Sequence, residues 1–176
     1  MKEIQTERLI LSLWKESDAE ALYEYASNPD VGPHAGWKPH SDVLESLKII
    51  KSVFIPNNVW AITIKQNGKV IGSVGLEPDK KRVGIKSHEL GFALSKEFWG
   101  RGVMTEAAKA VIHFGFSAYG LDLVSVCTAP SNKRSQSVIQ KCGFIYEGTL
   151  RDAYKVYDGS LRDTKCYSIL KEEWEF

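Results

Sequence analysis

No stretch of this sequence approaches the roughly 18 consecutive apolar residues that a membrane-spanning helix requires, so nothing in it argues for a bilayer. Cysteine is scarce. Cys127, Cys142 and Cys166 are odd in number, far apart and without metal-ligand spacing, which argues against a disulfide framework and leaves no metal expected. Free thiols in a reducing cytoplasm are the expectation. An excess of one charge is also missing: 23 Lys and Arg against 22 Asp and Glu leave a formal net charge of +1. That balance offers no footprint for nucleic acid or for an acidic membrane surface. The first residues, M-K-E-I-Q-T-E-R-L, include acids and no apolar core, so they do not read as a secretory signal. Repeats, low-complexity tracts and Pro/Gly/Ser linkers are lacking too, and residues 1–176 are expected to form a single domain. A chain of this length can bury roughly 70% of its unfolded surface.

What is present alternates between two periods. Residues 7–13 read as a first strand. Ser17 followed by Glu20 has the spacing of a capping box, and Ala19, Leu22, Tyr23 and Ala26 form a helical stripe behind it. After a loop containing Trp37, Ser41 is expected to cap a second helix through Val43, Leu47, Ile50 and Phe54. Residues 59–64 and 70–76 are β-rich and joined by Gln66-Asn67-Gly68-Lys69, a hairpin signal. Residues 88–94 read as a fourth strand, with Leu90, Phe92 and Leu94 on one face and Glu89, Gly91 and Ala93 on the other. A long helix over 103–119, a fifth strand over 123–128, a short helix over 134–141 and strands over 148–157 and 161–170 complete the pattern. The order βααβββαβαββ predicts an α+β fold with a mixed sheet of about seven strands.

The segment Phe98-Trp99-Gly100-Arg101-Gly102-Val103-Met104-Thr105 lies between a strand and the start of a helix. Glycines there let main-chain N–H groups approach an anion, and the helix adds unpaired N–H groups at its positive end. The combination suits a pyrophosphate, with Arg101 as a neighbouring cation. A glycine-rich turn before a core helix would leave the same trace. A dinucleotide fingerprint is disfavoured: Thr105 stands where its third glycine belongs, and Asp122 precedes the next strand instead of ending it. A P-loop would need Gly-Lys-Ser/Thr.

These residues resemble the acetyl-CoA signature of the GNAT acetyltransferases. A second signature follows in N-K-R-S-Q-S-V-I-Q-K-C-G-F-I-Y-E-G, Asn132 to Gly148, and the tail from Gly148 onward resembles the RimJ/RimL-like branch that acts on ribosomal-protein N-termini. The resemblance covers essentially the whole chain. It departs from the wider family at Trp99, Met104 and Ile139; the last replaces a tyrosine that many members use to protonate the departing thiolate.

The resemblance implies acetyl-CoA as co-substrate and fourth and fifth strands that splay apart to admit its pantetheine arm. That arm would pair with the backbone of Phe92, Ala93 and Leu94. The pyrophosphate would rest on Trp99, Gly100, Arg101, Gly102, Val103, Met104 and Thr105. Asn132 would orient the arm and Ser135 would serve as acid toward the sulfur, although both also suit the capping of a short helix. Glu89, with Glu77 as an alternative, could take the proton of the attacking amine through water. The expected acceptor is a primary amine, in the first place the N-terminal α-amine of a protein and alternatively a small-molecule amine, with the loop around Trp37 and the turn near Asp158 shaping its pocket. A non-catalytic CoA-binding module is the competing reading, and neither the acceptor's identity nor the oligomeric state is written in the sequence.

Overall fold

The computed structural model describes residues 2–175. Its strands are β1 (Ile4–Gln5), β2 (Leu9–Leu13), β3 (Trp60–Ile64), β4 (Val70–Pro78), β5 (Ser87–Leu94), β6 (Leu123–Thr128), β7 (Ile145–Lys155) and β8 (Leu161–Leu170). Its α-helices are α1 (Ala19–Ala26), α2 (Gly32–Ala35), α3 (Val43–Ile49), α4 (Val103–Ala118) and α5 (Lys133–Lys141). The strands form one sheet in the order β1-β2-β3-β4-β5-β6-β8-β7. Neighbours are antiparallel except β5 and β6, which run parallel with α4 as their crossover, so the sheet is mixed.

The fourth and fifth strands expected from sequence are β5 and β6. The eighth strand is β1, whose two residues pair with Ile10 and Leu11. Two residues carry no alternation to read, which is why seven strands were expected.

The helix starts also differ from expectation. Glu16–Asp18 forms a 3-10 turn ahead of α1, and Asp18 accepts the Lys15 N–H at 2.8 Å, so the acid and not Ser17 organises that entry. The stripe of α1 is closed by Tyr25, which is buried, rather than by Tyr23. At α3 the N-cap is Asp42, whose carboxylate accepts the Glu45 N–H at 2.8 Å. Ser41 instead gives its N–H to the Glu45 carboxylate. The helix then widens into a π turn over Ile50–Phe54 before β3.

Each face of the sheet carries its own core. On one face α4 lays Val103, Ala107, Val111 and Ile112 against Val74, Leu76, Leu90 and Val124. On the other, Leu22, Tyr25 and Ala26 of α1 pack with Ile50 and Ala61. Full burial of a Val, Leu or Ile side chain contributes about 1.5–3 kcal/mol, and both cores contain several. The alternation of β5 follows: Leu90 and Leu94 join the α4 core, while Ala93 faces α1. Among the described residues no helix is long and apolar enough to cross a membrane.

Candidate active site

The parallel pairing of β5 and β6 covers only Ser87–Leu123, His88–Val124 and Glu89–Ser125. Beyond Glu89 the strands part, although β5 stays paired with β4 as far as Leu94. Two bonds fix which way the β5 backbone points. Ser95 donates its N–H to Ile71 O at 2.8 Å, and Asp79 donates its N–H to Ser87 O at 3.1 Å. Odd-numbered residues of β5 therefore direct their main-chain groups at β4, and even-numbered ones direct theirs toward β6. Of the three positions expected to meet an extended arm, Phe92 and Leu94 turn into the fork, while Ala93 is engaged with Ser73 of β4. The Leu94 carbonyl is already taken by the Trp99 indole N–H at 2.9 Å. Phe92 N–H and C=O and Leu94 N–H remain for a ligand.

A polar hub sits at the branch point. Asp79, in the β4–β5 loop, accepts from Ser125 Oγ at 2.7 Å, from Arg82 at 2.8 Å and from the Lys81 N–H at 2.9 Å. Burial alone would raise its carboxyl; the Ser125 hydrogen bond and the neighbouring cations outweigh that and hold it below the usual carboxylate range. Arg82 also reaches Glu147 of β7 at 2.5 Å, and Ser168 of β8 donates to Glu147 at 2.7 Å. The hub thus ties β6, β7 and β8 to the loop that enters β5.

The fork opens into a cleft of about 630 Å³ that runs down to the start of α4. Gly100 and Gly102 have φ of +74° and +73°, a region that side-chain-bearing residues avoid. A Cβ at Gly100 would meet nothing within 4 Å, and at Gly102 only Arg8 Nη2 at 3.7 Å. Conformation, not crowding, therefore demands glycine at both. The first helical bond runs from Glu106 N–H to Gly102 O at 3.0 Å, so the N–H groups of Val103, Met104 and Thr105 precede it at the positive end of α4. Arg8 pins this corner, giving its Nε to Glu106 at 2.6 Å and Nη1 to Arg101 O at 3.1 Å. Trp99, besides holding Leu94, is the platform on which Arg134 stacks at 4.1 Å. Of the residues expected here, Arg101 alone lies outside the cleft lining; it is exposed, beside Phe98.

Asn132 and Ser135 both line the cleft, and the structure separates their roles. Asn132 is the N-cap of α5, with Oδ1 accepting the Ser135 N–H at 3.1 Å. Ser135 lends only its N–H to the cap, and its half-buried hydroxyl stays outside it. On the floor, three cross-strand pairs line up on one face: Ser73–Ala93, Gly75–Gly91 and Glu77–Glu89. A Cβ on Gly91 would enter open space. Glu89 is ion-paired with Lys81, whereas Glu77 has no ion pair among the described residues.

Several lining residues escaped the sequence reading. The Tyr25 hydroxyl is buried near Ser73 without a hydrogen bond of ordinary length, and desolvation pushes its pKa well above the usual phenol value. Arg162 reaches in from β8. Trp37, in the loop expected to shape the acceptor pocket, does line the cleft, its ring tilted against that of His40 at 5.3 Å. Stripe arithmetic on α1 favoured Tyr23, so only the stronger burial signal of a full-length helix face would have pointed to Tyr25. Cys127 also lines the cleft, 3.4 Å from Cys166 across the β6–β8 pair; burial and the Glu89 charge push its thiol up. Cys142 is buried and pushed up to about 11, so neither is a thiolate at neutral pH. Among the described residues no His/Cys/Asp/Glu group is arranged to hold a metal.

Comparison with known proteins gives this geometry a setting. The family model described as an acetyltransferase (GNAT) domain matches residues 8–145. An uncharacterized N-acetyltransferase p20 of Bacillus licheniformis is 31% identical over 179 residues, covering 99% of both chains. The [ribosomal protein uS5]-alanine N-acetyltransferase of Escherichia coli is 29% identical over 85 residues, 48% of this chain and 43% of that one. The crystal structure of a GNAT-family acetyltransferase from Bacillus anthracis superposes with a TM-score of 0.87 at 23% identity, covering 98% of this chain and all of that one.

Proposed function

The chain belongs to the GNAT acetyltransferase family and is an acetyl-CoA-dependent N-acetyltransferase, and from that premise we propose that its acceptor is the N-terminal α-amine of a protein. The observation that carries the reading is the continuity of one cleft: it joins the unpaired Phe92 backbone, the left-handed Gly100–Gly102 turn and the acidic floor at Glu77 and Glu89. Phe92 and Leu94 would receive the pantetheine amides as a neighbouring strand would, and the α4 N-terminus would receive the phosphates. A main-chain N–H at the fork would polarise the thioester carbonyl. The Ser135 hydroxyl would donate to the sulfur as charge develops there.

Proton accounting favours an α-amine over a lysine. With a pKa of roughly 7.7–8.0, about a tenth of an α-amine is neutral near pH 7. A lysine near 10.4 has only about one molecule in 2,500 neutral, a deficit of roughly 4.6 kcal/mol. Glu89 is committed to Lys81, so the floor offers a modest base, with Glu77 the less engaged carboxylate. A modest base suffices for the α-amine. The ribosomal-protein activity named for the Escherichia coli relative supports the same direction.

The test is acetylation of peptides that carry both a free N-terminus and an internal lysine, with mass-spectrometric fragments locating the added acetyl. Acetyl on the N-terminus is expected. Acetyl confined to lysine overturns the reading, and turnover on small amines alone replaces it with a small-molecule acceptor.

A further inference from the structure

The last rung between β6 and β8 is Thr128–Lys165, and the β7–β8 hairpin continues past it. Its far half, where Tyr154 pairs with Arg162, leans on α2 and on Gly36, which ends that helix. A Cβ on Gly36 would lie 2.5 Å from the Tyr154 ring, and Arg162 donates Nη1 to Pro33 O at 3.3 Å. The Arg162 guanidinium stacks on Tyr154 at 5.0 Å and forms part of the cleft wall.

Arg162 differs from the arginines that hold the fold together. Arg8 is paired with Glu106, and Arg82 with Asp79 and Glu147. Among the described residues no carboxylate lies within ion-pair distance of Arg162, and its Nε is buried without a hydrogen-bond partner. A guanidinium oriented by an aromatic face, with donors unspent in a cleft, is suited to a planar oxyanion, which it can hold through two parallel bonds. The same cleft carries two carboxylates on its floor, Glu77 and Glu89. The cleft therefore presents acid at one place and a fork of donors without a carboxylate partner at another.

We propose that Arg162 is a specificity-determining residue that binds a carboxylate carried by the acceptor, so that the preferred substrate is an amine bearing a carboxylate, such as a peptide whose first or second residue is acidic. The peptide form of this inference rests on the α-amine reading above; the carboxylate itself does not.

The experiment compares peptides with a free N-terminus and Asp or Glu at the first or second residue against their Asn or Gln counterparts, with free α-amino acids as a further series. Wild-type protein is expected to favour the acidic peptides at least tenfold in kcat/KM. Arg162→Gln is expected to erase that preference and Arg162→Lys to keep part of it, with acetyl-CoA affinity measured in each to confirm a folded site. N-terminal acetylation of both peptide series at equal rates overturns the role of Arg162 and leaves the α-amine reading standing. A preference that survives in Arg162→Gln overturns it as well. Turnover restricted to free amino acids, and lost in Arg162→Gln, supports the carboxylate subsite while overturning the peptide reading.

Discussion

The two ends of the cleft are built from different materials. The end at α4 is made of main chain: two glycines at positive φ, the N–H groups of Val103 to Thr105, and the backbone of Phe92. The end beneath α1 and α3 is made of side chains, among them Tyr25, Trp37, Glu77, Glu89 and Arg162. A main-chain site tolerates changes such as Trp99 and Met104 so long as its backbone shape survives. A side-chain site can be rewritten one residue at a time without disturbing the fold, which suits an enzyme scaffold that keeps one co-substrate and varies the other.

The strongest test of this contrast is the one side chain assigned chemistry at the co-substrate end. Ser135→Ala is expected to lower kcat by about 100-fold or more, with little change in KM for acetyl-CoA, because the hydrogen bond proposed from its hydroxyl would strengthen only as the sulfur gains charge. Since Asn132 provides the cap, the melting temperature should barely move. Steady-state kinetics beside a thermal melt separate the outcomes; intact turnover would remove Ser135 from the chemistry.

Next in size is the cradle. Gly102→Val forces a β-branched residue to φ near +73° and should weaken acetyl-CoA binding at least tenfold, about 1.4 kcal/mol, by calorimetric titration. Gly102→Ala should share much of this loss, because its methyl would find space but not an easy backbone. If alanine binds normally while valine does not, crowding and not conformation is the constraint.

The acceptor end should respond in the opposite sense. Gly91→Leu points a side chain into open cleft and should raise the acceptor KM by about fivefold, ~1 kcal/mol, while leaving acetyl-CoA affinity within about twofold. Equal losses for both substrates would show that the two ends are not separable.

The smallest expected effect concerns the hub at the fork. Asp79 is held below the usual carboxylate range in the folded chain, so its contribution is present above a pH of about 4 and is lost as pH falls through the folded value. Asp79→Asn should therefore lower the melting temperature at pH 7 and narrow its gap to wild type at pH 3. A gap independent of pH would mean the carboxylate charge is not what holds the loop.

The same contrast explains what the sequence disclosed. Gly100 and Gly102 were legible because glycine takes their φ at no steric cost, and the splay followed from the family resemblance that they anchor. The strand faces were legible because Leu90 and Leu94 alternate with Glu89, Gly91 and Ala93. Caps were assigned to the wrong neighbour twice, Ser17 for Asp18 and Ser41 for Asp42, because adjacent Ser and Asp satisfy the same rule and only geometry chooses. Tyr25 and Arg162 were out of reach for a different reason. Each meets the site through contacts with distant segments, such as Arg162 with Pro33 across 129 positions, and no local pattern encodes such a meeting.

The half-used strand at the fork has a consequence in time as well as in shape. Gly91 and Ala93 have their amide protons bonded into β4, whereas those of Phe92 and Leu94 look into the opening. In deuterated solvent the free protein should exchange along β5 with a two-residue rhythm, slow at 91 and 93 and fast at 92 and 94. A bound arm that completes the ladder would slow the fast pair and flatten the rhythm, so the strand itself reports, residue by residue, when the cleft is filled.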